Sequence, residues 1–167
     1  NYKKYIDECR MKYFPINDVY IWGTKQLGQF CYRELKKNNI NVLAFVDNDK
    51  KKQNEKIDGC KIISPESLDN SSLIIICSYY AYDIEQQIKS KGKNPYIIYE
   101  VLPLLNKRFA HYNFSYINLF QIIMKYKEQF LKLYECYSDE KSVQVLDNVL
   151  QYRMSLDSIY AKRALEL

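Results

Sequence analysis

Val19-Tyr20-Ile21-Trp22-Gly23-Thr24-Lys25-Gln26-Leu27-Gly28 opens the stretch that decides how this chain folds, and Val42-Leu43-Ala44-Phe45-Val46-Asp47 closes it. Two apolar runs flank a segment of helical periodicity, and two glycines, Gly23 and Gly28, follow the first run. This is the layout of a nucleotide-binding βαβ unit. The first strand delivers the chain to one sheet edge, glycine permits the tight turn, and the helix points its N-terminal amides at that edge, where an anion is favoured. An acidic residue about 20 positions on, at the tip of the second strand, can accept hydrogen bonds from a ribose diol. Asp47 stands there, with Asn48 beside it. The candidate binding residues are therefore Gly23, Thr24, Lys25, Gln26, Leu27 and Gly28 in the turn, and Asp47 and Asn48 at the strand tip.

The glycine pattern is incomplete. A dinucleotide fingerprint G-x-G-x-x-G places its middle glycine at position 25, where this chain has Lys25. A side chain there obstructs the approach of a pyrophosphate to the backbone, although an ammonium can itself donate to a phosphate. NAD is accordingly less expected than a mononucleotide or a nucleotide-sugar. A βαβ unit that keeps its fold and binds nothing satisfies the same pattern.

Outward from this unit, Ile57-Asp58-Gly59-Cys60 reads as a tight turn into a short edge strand, Lys61 to Ile63. Ser64-Pro65-Glu66-Ser67-Leu68 reads as a one-turn helix with Ser64 as its cap and proline at its first position. Leu73-Ile74-Ile75-Ile76-Cys77 is an unbroken apolar run, expected of a central parallel strand covered on both faces. Ser78 and Tyr79 follow at its carboxyl end and are candidate walls of the same crevice. A helix from about Tyr82 to Lys91 ends at Gly92, and Pro95 to Tyr99 makes the last strand.

The first helix runs from about Lys25 to Asn38, with Leu27, Phe30, Cys31 and Leu35 on one stripe and Asn38-Asn39 as its stop. Upstream, Tyr2, Tyr5, Ile6, Cys9 and Tyr13 fall at helical spacing before Pro15. Beyond Pro103 the period changes. Tyr116, Leu119, Phe120, Ile123, Phe130, Leu131 and Tyr134 form one helical stripe, and Val143, Leu146, Val149 and Leu150 another. Ser138-Asp139-Glu140 is a helix start, and Asp157 begins a third helix to Leu167. The fold class is thus α/β: a small Rossmann-like parallel sheet followed by an α-helical C-terminal appendage. The expected divisions are an N-terminal helix over 1–16, a nucleotide-binding domain over 17–106, and a helical linker or interface over 107–167.

Bulk properties exclude several classes. No apolar run approaches the ~20 residues that cross a bilayer. Mean hydropathy is −0.44. The N-terminal residues lack the apolar core of a signal peptide, and the absence of an initiator Met suggests an excised or processed chain. Five scattered cysteines without a C-x-x-C pair argue against a disulfide framework or a zinc site, and the expected compartment is the reducing cytosol. Net charge is +5 with 17 tyrosines, yet no stripe of lysines follows one helical face, so nucleic-acid binding is not expected. His111 is the single histidine, with no evident Cys or Ser partner, and no catalytic residue is assigned.

Two stretches resemble known proteins. Val19 to Gly23, Phe45-Val46-Asp47-Asn48-Asp49, Ile57-Asp58-Gly59 and Ile63 to Leu68 resemble the Rossmann-like module that precedes catalytic domains in bacterial surface-polysaccharide enzymes. Ser138 to Ser142 and Leu150-Gln151-Tyr152-Arg153-Met154 are similar to the helical linker leading into FkbM-type methyltransferases. The resemblance implies a non-catalytic N-terminal part of a methyltransferase that uses S-adenosylmethionine in a downstream domain and acts on a glycan. Nucleotide-sugar acetyltransferases carry a similar module, and by that likeness Gly23, Gly28 and Asp47 would hold the nucleotide. Two other readings stand beside it. One is a degenerate interaction scaffold, with the C-terminal helices docking a partner or forming a homodimer. The other is a sugar-nucleotide oxidoreductase fragment.

Overall fold

The computed structural model describes residues 2–13, 15–92, 94–109 and 119–167. His111 and Tyr116 lie outside them. Two compact units make up the chain, one over Lys3–Tyr112, the other over Asn113–Leu167 with Asn1–Tyr2.

The larger unit runs α1 (Tyr2–Tyr13), β1 (Asp18–Trp22), α2 (Gln26–Lys37), β2 (Asn41–Val46), β3 (Lys56–Ile57), β4 (Cys60–Ile63), a 3-10 turn (Pro65–Ser67), β5 (Leu73–Ile76), α3 (Ala81–Lys91), β6 (Tyr96–Ile98) and α4 (Leu102–Leu105). Its six strands lie in the order β3-β4-β2-β1-β5-β6. All neighbours are parallel except β3 and β4, so the fold is Rossmann-like, with the strand order reversing direction between β1 and β5. In register, Trp22 lies beside Val46 on one side and Ile76 on the other. The carboxyl ends of β1, β2 and β5 therefore share one level of the sheet edge.

The apolar runs form central strands because both faces are covered: β5 is buried at all four positions, and β1 at all but Asp18. Trp22, Phe45, Ile21, Ile74, Ile75, Ile76, Leu35 and Ile97 form the fully buried heart of the unit. Each such side chain contributes about 1.5–3 kcal/mol by leaving water. Helix α2 buries Gly28, Cys31, Glu34 and Leu35, while Leu27 and Phe30 stay partly exposed. The buried stripe is thus rolled toward Gly28, where the absence of a side chain lets the helix approach most closely. Phe30 instead meets Tyr99 edge-on at 6.2 Å.

Helix ends follow local chemistry. Asn39 adopts φ +58°, and Ile40 N–H returns to Leu35 O at 3.0 Å, closing α2 with the bond pattern of a Schellman cap. Gly92 at φ +91° closes α3. Two details differ from the sequence expectation. β4 does not form the rim of the sheet, because Asp58 and Gly59, at φ +49° and +81°, make a two-residue hairpin that lays β3 along its outer side. Ser64 bonds the Ser67 hydroxyl at 3.2 Å rather than capping the following turn with its side chain.

The crossover from β4 to β5 is pinned by Asp69. Its carboxylate accepts from the Tyr20 hydroxyl of β1 at 3.1 Å, from the Ser71 and Ser72 amides at 2.9 and 2.8 Å, and from the Ser72 hydroxyl at 2.7 Å. Partial burial opposes ionisation, but these donors outweigh it and bring the Asp69 pKa to about 2. A folded-state pKa below the unfolded value adds stability that is complete above the ordinary carboxylate range and is lost as pH falls through the folded value. Thermal melts between pH 5 and pH 2 should therefore show a steeper acid loss for the parent chain than for Asp69→Ala. Parallel acid limbs in the two proteins would contradict this.

In the smaller unit, α5 (Leu119–Lys125), α6 (Lys127–Cys136), α7 (Glu140–Ser155) and α8 (Ser158–Glu166) follow one another. The expected first stripe is divided at Tyr126 into α5 and α6, and Leu131 is half-exposed rather than on a buried face. Asp139 caps α7 by accepting from Ser142 N–H at 2.7 Å, and Asp157 caps α8 by accepting from Ile159 N–H at 3.1 Å. Leu156, at φ +58°, turns the chain between them, and α7 packs on α8. Among the described residues no helix is long and apolar enough to cross a membrane.

Candidate functional site

At the carboxyl edge, Gly23 leaves β1 with φ +122°, and its amide donates to Val46 O at 3.0 Å. This bond carries β1–β2 pairing one residue into the loop and sets Thr24 against the tip of β2. Asp47 in turn donates its amide to Ile63 O at 3.2 Å, so the strand tip is held from both sides. Thr24, a residue only 6% exposed, donates its hydroxyl to Asp47 Oδ2.

The loop after β2 then rolls back on itself. Asp49 N–H donates to Asp47 Oδ1 at 2.9 Å, and Lys51 N–H donates to Asp49 Oδ1 at 3.0 Å, two successive side-chain-closed turns of the kind aspartate favours. They return Lys52 to the start of the loop. Its ammonium donates to Asp47 Oδ2 and to Thr24 Oγ1, each at 3.2 Å. Gln53 donates to Asp47 O at 3.0 Å, and Gln29 to Thr24 O at 3.0 Å. Burial raises the cost of charge on Asp47, but the bonds from Thr24, the Asp49 amide and Lys52 more than compensate and hold its carboxyl below the usual carboxylate range. Asp47 is thus a charged acceptor facing the turn.

The structure brings some of the sequence-predicted residues together and not others. Gly23, Thr24, Gly28 and Asp47 come together at one point. Lys25 and Gln26 are exposed at the start of α2. Lys25 is the N-cap and makes no side-chain cap bond, and the first turn carries no acidic residue. Leu27 is half-buried. Asn48 turns outward to exchange amide hydrogen bonds with Gln87 of α3 at 3.1 and 3.2 Å. Ser78 accepts from Tyr80 N–H at 3.1 Å, and Tyr79 projects into solvent at 78% exposure.

Packing gives both surviving glycines a reason of their own. A Cβ on Gly28 would lie 1.9 Å from Gly23 O, and one on Gly23 would lie 2.4 Å from Cys77 O. The glycine missing from the fingerprint is the one whose role is to admit a ligand, and the Lys25 that replaces it has an ordinary extended backbone, φ −79° and ψ −170°. The donors around the carboxylate are the Lys52 ammonium, the Thr24 hydroxyl and the Asp49 amide. Such a set offers charge and side-chain hydrogen bonds rather than bare backbone alone.

Lys52, Gln53, Gln29 and Gln87 were not singled out by the sequence. The only hint was the run Lys50-Lys51-Lys52, which does not say which lysine returns to the strand tip. Behind the edge, Cys31 and Cys77 are buried; burial foremost, and then the hydrogen bond with Cys31, raises the Cys77 thiol well above its ordinary value, which disfavours a nucleophilic thiolate. Among the described residues no cluster of His, Cys, Asp and Glu is placed to hold a metal ion.

Residues 16–98 match a family model described as C2185-like, N-terminal. That span runs from just before β1 to the end of β6 and so contains the whole sheet and the edge described above. No curated protein matches the chain. Among solved structures, the FkbM methyltransferase from Methylobacillus flagellatus KT is similar at 19% identity and a TM-score of 0.65, over 93% of this chain and 44% of that one. The chain therefore spans less than half of that enzyme, and the likeness shows a shared fold. More distant are the UDP-D-quinovosamine 4-dehydrogenase from Vibrio fischeri, with 19% identity and a TM-score of 0.41 over 57% of this chain and 88% of that one, and RSP in complex with beta-NAD+ and operator DNA, with 13% identity and a TM-score of 0.40 over 82% and 70%.

Proposed function

We propose that the carboxyl edge of the sheet binds a nucleotide or nucleotide-sugar, and that the chain serves as the non-catalytic binding module of a larger bacterial transferase. One observation carries this reading: Asp47, Thr24 and Lys52 meet at the turn that leads from β1 into α2. A carboxylate able to receive a ribose diol thus shares one edge with groups that attract phosphate. In the same proposal, the attached catalytic domain is a methyltransferase that uses S-adenosylmethionine to modify a glycan of the cell surface, working in the cytoplasm. The likeness in fold to the FkbM methyltransferase, of which this chain spans 44%, supports that part.

Isothermal titration with UDP-sugars, UDP, ADP, NAD, NADP and S-adenosylmethionine tests the binding reading. Heat is expected with a phosphorylated nucleotide and none with S-adenosylmethionine. Silence across the panel would defeat it.

A second reading is a scaffold that has kept the fold and lost its ligand. It is favoured by Lys25 in the middle glycine position and by Asp47 already holding three donors. Half-exposed apolar residues of the helical unit, Leu131, Leu133 and Val149, would then form a dimer or partner surface. A titration silent for every nucleotide, together with a concentration-dependent dimer in sedimentation, is its signature.

A further inference from the structure

We propose that Lys52 sets the charge class of the ligand, making this edge select phosphorylated nucleotides over neutral nucleosides and over the cationic sulfonium of S-adenosylmethionine. The inference rests on the nucleotide-binding reading above.

A carboxylate offers about four acceptor positions, two on each oxygen. On Asp47, Oδ2 already receives the Thr24 hydroxyl and the Lys52 ammonium, and Oδ1 receives the Asp49 amide. A ribose diol that places one hydroxyl on each oxygen finds room on Oδ1 and none on Oδ2. One of the two donors on Oδ2 must leave. Thr24 is buried, and Gln29 holds its carbonyl, so it is fixed. Lys52 reaches the site on a long flexible side chain and is 34% exposed, against 16% for Asp47. Lys52 is the donor that moves.

The consequence depends on what the ligand brings. An ammonium displaced from Asp47 loses its counter-charge in a partly shielded position. A phosphate on the incoming ligand restores it at once, and Lys52 becomes a ligand contact. A nucleoside offers nothing in return, and a sulfonium adds repulsion. Lys25, Lys50 and Lys51 also lie nearby in sequence, but they are exposed, and only Lys52 among these four is bonded to Asp47.

Titrations of UDP against uridine and ADP against adenosine, at one fixed ionic strength, test this on the parent chain and on Lys52→Met, Lys52→Arg and Lys50→Met. In Lys52→Met, nucleotide affinity should fall about tenfold, the size of one charge-assisted hydrogen bond. Nucleoside affinity should hold or rise. Lys52→Arg should keep the parent preference, and Lys50→Met should leave it unchanged. Melting curves confirm that each variant is folded, and Lys52→Arg carries the test if the Met variant is not. For that case, a phosphate preference retained in Lys52→Arg supports the assignment, and one lost there opposes it. If Lys52→Met weakens nucleotide and nucleoside by the same factor, or neither, Lys52 does not select and the inference falls while the binding reading stands. If the parent chain binds none of the four probes, both fall together.

Discussion

Replacing Gly28 by alanine should cost at least about 4 kcal/mol, enough to remove most of the stability of a domain whose total is about 5–15 kcal/mol. The added Cβ would stand 1.9 Å from Gly23 O and 2.9 Å from Gly23 C, with Ile21 Cγ2 at 3.6 Å behind them. Real atoms do not approach so closely, and the obstacle is backbone rather than the movable end of a side chain. Relief requires lifting α2 from β1, which uncovers Cys31 and Leu35, both fully buried. It would also pull on Gly23, whose amide is tied to Val46. The helix itself gains from alanine, but that propensity is worth only about 1 kcal/mol and cannot offset the clash. Urea or thermal unfolding of Gly28→Ala should show a largely unfolded protein or a greatly lowered midpoint. A midpoint within a few degrees of the parent would mean that α2 does not sit where the structure places it.

Gly23→Ala should be the second most damaging change, at about 3 kcal/mol or more, from a backbone term and a steric term together. At φ +122° an L-residue is strained before any neighbour is considered. Its Cβ would then meet Cys77 O at 2.4 Å. Since Cys77 N–H donates to Trp22 O at 2.8 Å, the backbone that carries this carbonyl is tied to the end of β1 and has little freedom. Gly59 and Gly92 provide the control. Both have positive φ, yet a Cβ on either meets nothing within 4 Å, so alanine there should cost only the conformational term of about 1 kcal/mol. Unfolding midpoints in the order Gly28→Ala and Gly23→Ala well below Gly59→Ala and Gly92→Ala are expected. Equal midpoints for all four would show that backbone freedom alone explains the glycines.

These glycines also show how far the sequence could be read. Their spacing between two apolar runs identified the βαβ unit, and the turn, the helix and both strands are present. The sequence assigns them a tight turn and a place in the candidate site, and the structure adds the atoms that forbid a side chain there, Gly23 O and Cys77 O. Similarly, Asp47 was placed at the strand tip by counting, and its carboxylate does face Thr24. Ser78 and Tyr79 were placed at the same edge, but Ser78 serves a local turn and Tyr79 points into solvent. The lysine that completes the site could not be chosen from three in a row, because the choice depends on two side-chain-closed turns that bring Lys52, and neither neighbour, back to Asp47.

What the sequence determined alone is whatever depends on near neighbours. Unbroken apolar runs specified strands, Asn39 and Gly92 ended helices because they tolerate left-handed backbone, and the period change after Pro103 marked a helical region. The tertiary structure decided the sheet order, the roll of α2 onto Gly28, and the meeting of Thr24 with Asp47. Those depend on which surfaces exclude water together and which polar atoms then lie within bonding distance, and residues far apart in the chain set both.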